Sequence, residues 1–253
     1  TPTHVETPDA PMRDMSITVG WNTAQSAGIT REDMDAWAAR SHQRAVAAQD
    51  AGKFLDEIVP IKVTQPDGSV VEFSVDEHPR RGTTAEKLAE LKVLHPEIDG
   101  FSITAGNSSG TNDAAAAVAV VADDYAAAEN LAVLATVKAW GSVGVAARDT
   151  GLGGVKVIGY VLERAGLKPS DVALWEINEA FASVPIAAVR EYGIDEELVN
   201  FSGSGCSLGH PISASGARMV TTLIYELQRR GGGIGVAAMC AGGGQGGGLV
   251  IEV

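Results

Sequence analysis

Residues 171–193 read DVALWEINEAFASVPIAAVREYG, and their texture changes once, at Asn178. DVALWEIN is a short, nearly continuous apolar run, the composition of a strand buried on both faces. EAFASVPIAAVREYG then has helical character. The same alternation recurs through the second half of the chain, in LATVKAW, KVIGYVLERAG, ARMVTTLIYELQRRG, GIGVAAMC and GLVIEV. It predicts an α/β domain from about Ile103 onward, its sheet covered by helices on both faces.

Upstream the pattern differs. The segment to about Asn22 has the composition of a loop. TREDMDAWAARSHQRAVAAQDAG reads as a helix, with Thr30 as its cap, Asp33 where a capping box places its acid, and Gly52 as its stop. Met34, Trp37, Ala38 and Ser41 share its less polar face. EIVPIKVTQPDGSVVEFSV gives two strand-like runs about the turn Pro66-Asp67-Gly68. TTAEKLAEL is a short helix with Thr83 and Glu86 in capping-box spacing. A helical and hairpin portion, residues 1–102, therefore precedes the α/β portion, residues 103–253. No short-period repeat is visible.

Composition narrows the function. The 253 residues are 45% hydrophobic, enough for a substantial core. A net charge of −13 argues against nucleic acid or an anionic membrane as partner. An anionic small molecule stays open, provided its cations are gathered locally. The two cysteines, Cys206 and Cys240, make no disulfide framework and fit a reducing compartment. No metal-ligand spacing occurs around them. The polar, proline-rich start has no apolar signal region, and the longest apolar run, Ala114 to Ala122, is far short of the roughly 20 residues of a spanning helix. A soluble cytoplasmic protein is expected.

Three motifs stand where strands should end: EINEAFA from Glu176, GSGCSLGHPISASG from Gly203, and CAGGGQGGG from Cys240. Such ends gather reactive groups in α/β folds. Each has an ordinary reading. Asn178 between strand and helix is what an N-cap looks like. A lone histidine such as His210 is usually a surface or satisfied core residue, though Gly209 and Pro211 leave its ring little shielded. Cys240 could be a small buried hydrophobe ending a strand. The glycines after it favour chemistry, because bare backbone N–H groups can approach a ligand and hold an oxyanion. Cys206 reads as a packing residue. Asn, His and Cys on successive strand ends suggest acyl chemistry at a carbonyl, with thiol and imidazole exchanging protons.

NEAFA, GHPISASGAR and the Cys-Ala-Gly-Gly-Gly run, in this order, resemble the C-terminal part of a thiolase. TREDMDAWAARSHQRA, DEIVP, DEHPR, TAGNSSGTNDAAAA and LERAG continue the likeness over nearly the whole chain. The resemblance implies an αβαβα layered fold of two like halves with an inserted loop domain. Residues 1–102 would be the loop domain, which binds coenzyme A, and residues 103–253 the C-terminal half. It implies acyl transfer: thiolytic cleavage of 3-ketoacyl-CoA, or the reverse Claisen condensation. Asn178 would hold a water that lines an oxyanion hole with His210, and His210 would also help activate the nucleophile. Cys240 would be the general acid/base, and the Gly242 N–H would help form a second oxyanion hole. Ser109 would meet the pantetheine and Arg80 the adenine nucleotide. Lys87 and Lys92 read as a solvated helix face. No cofactor or metal is implied; acyl-CoA and CoA are substrates. Homodimers or homotetramers are expected.

The chain departs from the pattern in three places. The family's acyl-accepting cysteine belongs to its N-terminal half, which this sequence is expected to lack. That half would stand in a longer protein or on a partner chain. RDTGLGGVKVIG replaces a proline-containing segment that approaches the acyl pocket, and Gln245 stands where many members carry an apolar residue. The competing reading is a non-catalytic acyl-CoA-binding subunit. The joint presence of Asn178, His210 and Cys240 favours the enzyme. A nucleotide loop is the weaker reading of the glycine run, because the run leads into a strand, whereas a phosphate loop should open a helix.

Overall fold

Thr30 accepts a hydrogen bond from the Asp33 N–H while the Asp33 carboxylate accepts from the Thr30 N–H, so the long helix near the N-terminus starts on a complete capping box. In the computed structural model, which describes residues 3–253, this helix is α2, Arg31–Asp50. Residues before Asn22 do not all form a loop: Ser16–Trp21 make a π-helical turn that runs into α1, Asn22–Ser26. Ser16, Thr18, Val19 and Gly20 of that turn are buried, so contacts with the rest of the chain give helix to a segment of weak propensity.

The hairpin forms as expected, β1 (Ile61–Thr64) pairing antiparallel with β2 (Val70–Phe73). The short helix α3, Ala85–Ala89, is capped by Thr84, one residue later than the spacing predicted. Residues 111–122 are irregular and mostly exposed, ahead of α4, Asp123–Ala128.

The α/β portion follows: β3 (Thr136–Gly144), α5 (Thr150–Ala165), β4 (Leu174–Ile177), α6 (Ser183–Tyr192), α7 (Gly205–Leu208), α8 (Ser215–Arg229), β5 (Ile234–Ala241) and β6 (Gln245–Glu252). The sheet order is β3-β6-β5-β4. β4 and β5 are parallel, and the β5–β6 hairpin and β3 are antiparallel. α5 lies on one face and α8 on the other. Strand periodicity divides the side chains between them. Trp175, Ile177, Val236 and Val250 join the core with α5, while Leu174, Ala237 and Ile251 pack with Met219, Leu223 and Leu227 of α8. Burying one such side chain stabilises by about 1.5–3 kcal/mol.

The core containing α5 also takes in Met34, Trp37 and Ala38 of α2, so the helical and α/β portions share one apolar interior. Coverage on both faces is incomplete, which corrects the sequence expectation. It holds over β4 and β5, but on the edge strand β3 the face bearing Trp140 is open, and Trp140 is 66% exposed. Among the described residues no helix is long and apolar enough to cross a membrane.

Candidate active site

Asn178 follows the last residue of β4, and its N–H bonds Ala238 O of β5 at 2.9 Å. It does not cap a helix, since α6 starts only at Ser183. Its side chain is fully buried, with Nδ2 3.3 Å from both ring nitrogens of His210.

His210 reaches this point by a route the sequence did not suggest. No strand precedes it; the one-turn helix α7 does, then Gly209 at φ +86°. That left-handed conformation favours glycine, and a Cβ there would run into the Asn112 amide. Two contacts hold the turn from outside. Asn112 Oδ1 accepts from the His210 N–H at 3.3 Å, and His78 Nδ1 donates to Ser207 O at 2.7 Å. His210 Nδ1 lies 2.7 Å from Ser215 Oγ, whose proton goes to Pro211 O at 3.0 Å. Ser215 is therefore the acceptor, Nδ1 carries the ring proton, and Nε2 is left bare as a base or hydrogen-bond acceptor. Burial, with the Arg218 cation nearby, lowers the His210 pKa and favours this neutral ring.

Parallel pairing of Ile177 with Ala238 brings the ends of β4 and β5 to the same edge of the sheet, so Cys240 lies one strand over from Asn178. Cys240 is 6% exposed, and burial pushes its thiol up to about 11. No hydrogen bond joins it to His210 or Asn178 among the described residues. Cys240 and His210 thus stand on neighbouring elements without a direct hydrogen bond among the described residues. Gly242 is exposed, with open space beside its Cα, in the three-residue turn between β5 and β6. The GLGG sequence that departs from the expected proline segment opens α5 instead. A Cβ on Gly154 would meet Cys240 N at 2.9 Å, so the helix lies flush against the backbone that carries the thiol.

Glu179 ties these parts together. Its Oε1 accepts from Trp37 Nε1 (2.9 Å) and Asn200 Nδ2 (2.8 Å); its Oε2 accepts from Ser41 Oγ (2.6 Å) and the Cys206 N–H (3.1 Å). One fully bonded buried carboxylate thus fixes α2, the segment before α7, and the end of β4. Cys206 is 2% exposed, and burial beside Glu179 raises its pKa well above the ordinary thiol value, which suits a packing residue.

Ser109 is brought close: its N–H bonds Ala180 O at 2.9 Å, and Asn107 O accepts from Ala182 N–H at 3.0 Å, so this segment runs along the EINEAFA turn. Arg80 is exposed and not joined to the other site residues directly; its N–H bonds His42 Nδ1 at 3.1 Å, two residues after the His78 that holds the His210 turn. Lys87 on α3 is exposed, as on a solvated helix face; Lys92 is exposed too but lies beyond the end of α3, which corrects the expectation for it. Sequence reasoning missed Glu176, Glu179, Ser215, Arg218 and Asn112. Only Glu176 left a plain signal, a carboxylate inside an apolar strand.

Residues 131–253 match the family model "Thiolase, C-terminal domain", and residues 12–124 match "Thiolase, N-terminal domain". An acetyl-CoA acetyltransferase of Allochromatium vinosum is 45% identical over 235 residues, covering 93% of this chain and 59% of its own. A 3-ketoacyl-CoA thiolase of Bacillus subtilis is 44% identical, covering 91% and 60%. The crystal structure of the Bacillus anthracis acetyl-CoA acetyltransferase superposes with a TM-score of 0.85 at 42% identity, over 91% of this chain and 58% of that one. Human mitochondrial 3-ketoacyl-CoA thiolase gives 0.83 at 36% identity, over 91% and 57%. The chain spans about three fifths of the length of these relatives. The match over 12–124 corrects one expectation in part: the chain does contain residues of the region that the N-terminal-domain model describes.

Proposed function

The chain belongs to the thiolase family, and from that premise we propose that it contributes the oxyanion-binding and proton-transfer part of a thiolase-type acyltransferase acting on acyl-CoA. The observation that carries this is the meeting of the Asn178 amide with a neutral His210 whose Nε2 is bare, one strand from Cys240. A thioester oxygen gaining negative charge needs donors: Asn178 would supply one through a held water, and His210 Nε2 the other once it has taken the nucleophile's proton. Gly242 N–H would serve the second oxyanion.

In the cleavage direction the bond between the α and β carbons breaks. Its electron pair passes to the α-carbon as an enolate, and Cys240 Sγ gives that carbon its proton. In condensation the thiolate removes the same proton. A buried thiol of pKa about 11 keeps its proton at neutral pH, and its thiolate, when formed, is basic enough to be better matched to a carbon acid than an ordinary thiolate. The acyl group itself goes to a cysteine that this chain does not supply, since Cys206 is buried in the Glu179 network. CoA would lie along Ser109 and Arg80. Dimeric or tetrameric assembly in the cytoplasm belongs to the same reading. The meeting of buried Asn178 with partly buried His210 favours it over an acyl-CoA-binding subunit without catalysis.

The test uses a step that needs no acyl-accepting cysteine. Acetyl-CoA in D2O with this chain should exchange its α-protons, read by mass, and Cys240→Ser should slow exchange by about 10²–10⁴-fold, the usual range for a general acid–base group. Exchange that Cys240→Ser leaves intact would remove Cys240 from the role. Tight binding of acetyl-CoA with no exchange would favour the non-catalytic subunit. With acetoacetyl-CoA and CoA, the chain alone should show no thiolysis.

A further inference from the structure

Two buried acceptors on one face of β4 and its continuation lack a donor among the described residues. Glu176 and Asn178 are two apart on β4 and its continuation, so their side chains share the face toward α8. Contacts agree: Glu176 Oε2 accepts from Arg218 Nη1 of α8 at 2.9 Å, and Asn178 meets His210 just before that helix. Both residues are fully buried. Yet Glu176 Oε1 and Asn178 Oδ1 have no partner among the described residues. Such orphaned acceptors are costly, and the structure must relieve them.

Turning the Asn178 amide over would aim its NH2 away from His210, but would set Oδ1 against that ring. There Nδ1–H is engaged by Ser215, and Nε2 is a bare acceptor. The conflict would only move to the other side. An enclosed water could give one proton to each acceptor, and a proton on the carboxyl supplies a donor without one. We infer that Glu176 is a positioning residue that stays protonated and donates from Oε1 to Asn178 Oδ1, directly or through one enclosed water, so that the amide NH2 is held toward His210 and the substrate oxygen.

The surroundings favour the neutral acid. One cation, Arg218, faces Glu176, and its other arm is given to Ser204 Oγ at 3.0 Å. Three further carboxylates lie on the elements around it: Glu57 before β1, Glu179 after β4, and Glu226 on α8, which is itself bound to Lys53, Arg229 and Arg230. Burial is the largest cause, and the Glu176 pKa is raised to about 8. Above that value a carboxylate would push Oδ1 away, and the amide would turn its oxygen to the site.

Nuclear magnetic resonance of the full chain tests this, with the Asn178 side-chain amide assigned through Asn178→Asp. Its NH2 signals should shift between roughly pH 6 and 9 with a midpoint above neutrality, and labelled Glu176 should titrate with the same midpoint. In Glu176→Gln, whose amide donates at every pH, the Asn178 signals should stay fixed over that range. In Glu176→Leu, which has no donor, they should differ from wild type at all pH values. A Glu176 midpoint in the ordinary carboxylate range, or an Asn178 shift that persists in Glu176→Gln, overturns the proposal. The proposal rests on the thiolase reading only in calling the amide a donor to substrate. Where α-proton exchange occurs, its alkaline loss should be present in wild type and absent in Glu176→Gln. If exchange is absent altogether the function reading fails, while the resonance midpoints still decide this one.

Discussion

At the scale of single residues, the two thiols separate chemistry from packing. Cys240 and Cys206 are both neutral and buried, for different reasons: Cys240 ends a strand beside an open glycine turn, while Cys206 sits in the Glu179 network. Alkylation follows thiolate fraction and access. Iodoacetamide should therefore label both slowly at neutral pH, and Cys240 first as pH climbs toward about 11, with acyl-CoA protecting it. Peptide mapping reads the order; Cys206 labelled first, and protected by acyl-CoA, would move the reactive thiol to the His210 turn. The sequence alone pointed to Asn178, His210 and Cys240, because each breaks a local pattern: a polar group after an apolar strand, a ring between Gly and Pro, a thiol before glycines. It did not reveal that Ser215 sets the imidazole tautomer. A serine five residues beyond a histidine becomes a partner only once α8 turns back on it.

Elements show the same division. β4, β5, β6, α2 and α5 were legible, since their period and caps are local properties. The π-helical turn at Ser16–Trp21 and the helix before His210 were not, because burial and the Glu179 bonds impose them from residues far along the chain. β4 carries a cost that pH should expose. The folded Glu176 pKa of about 8 lies above the carboxylate's ordinary 4.5, so between these values the native state keeps a proton that the unfolded chain has lost. Stability should fall as pH rises through that window. Urea midpoints should therefore drop between about pH 5 and pH 8.5 in wild type and drop less in Glu176→Gln; equal slopes would show that Glu176 ionises normally. The close approach of α5 gives a second test. In Gly154→Ala the new methyl meets Cys240 N, and overpacking of this kind costs about 1–3 kcal/mol. A variant of unchanged urea midpoint would mean that α5 can lift off the β5 backbone freely.

The molecule as a whole shares one core between its helical and α/β portions, but leaves much apolar surface in water. Val120 is 79% exposed, Val133 62% and Trp140 66%. The first two lie on irregular chain on either side of α4; Trp140 lies on the open face of the edge strand β3. Isolated exposed apolar residues are ordinary, but contiguous ones drive association. The edge of β3 away from β6 is unpaired among the described residues, and a free strand edge can accept another chain. The run from Ala114 to Ala122 combines low charge with β-branched valines and has no proline, a composition that readily adds to such an edge. The chain by itself should bind a hydrophobic dye, and its mass by light scattering should rise with concentration. Val120→Asp with Trp140→Lys should lower both signals. Because neither side chain is buried, each change should alter folding stability by no more than about 0.5 kcal/mol. A concentration-independent monomer that binds no dye would mean that these surfaces are covered in solution by a rearrangement of residues 111–137. Lower dye binding with undiminished association would place the contact elsewhere, with the exposed hairpin β1–β2, bearing Ile61, Val71 and Phe73, as the next surface to alter.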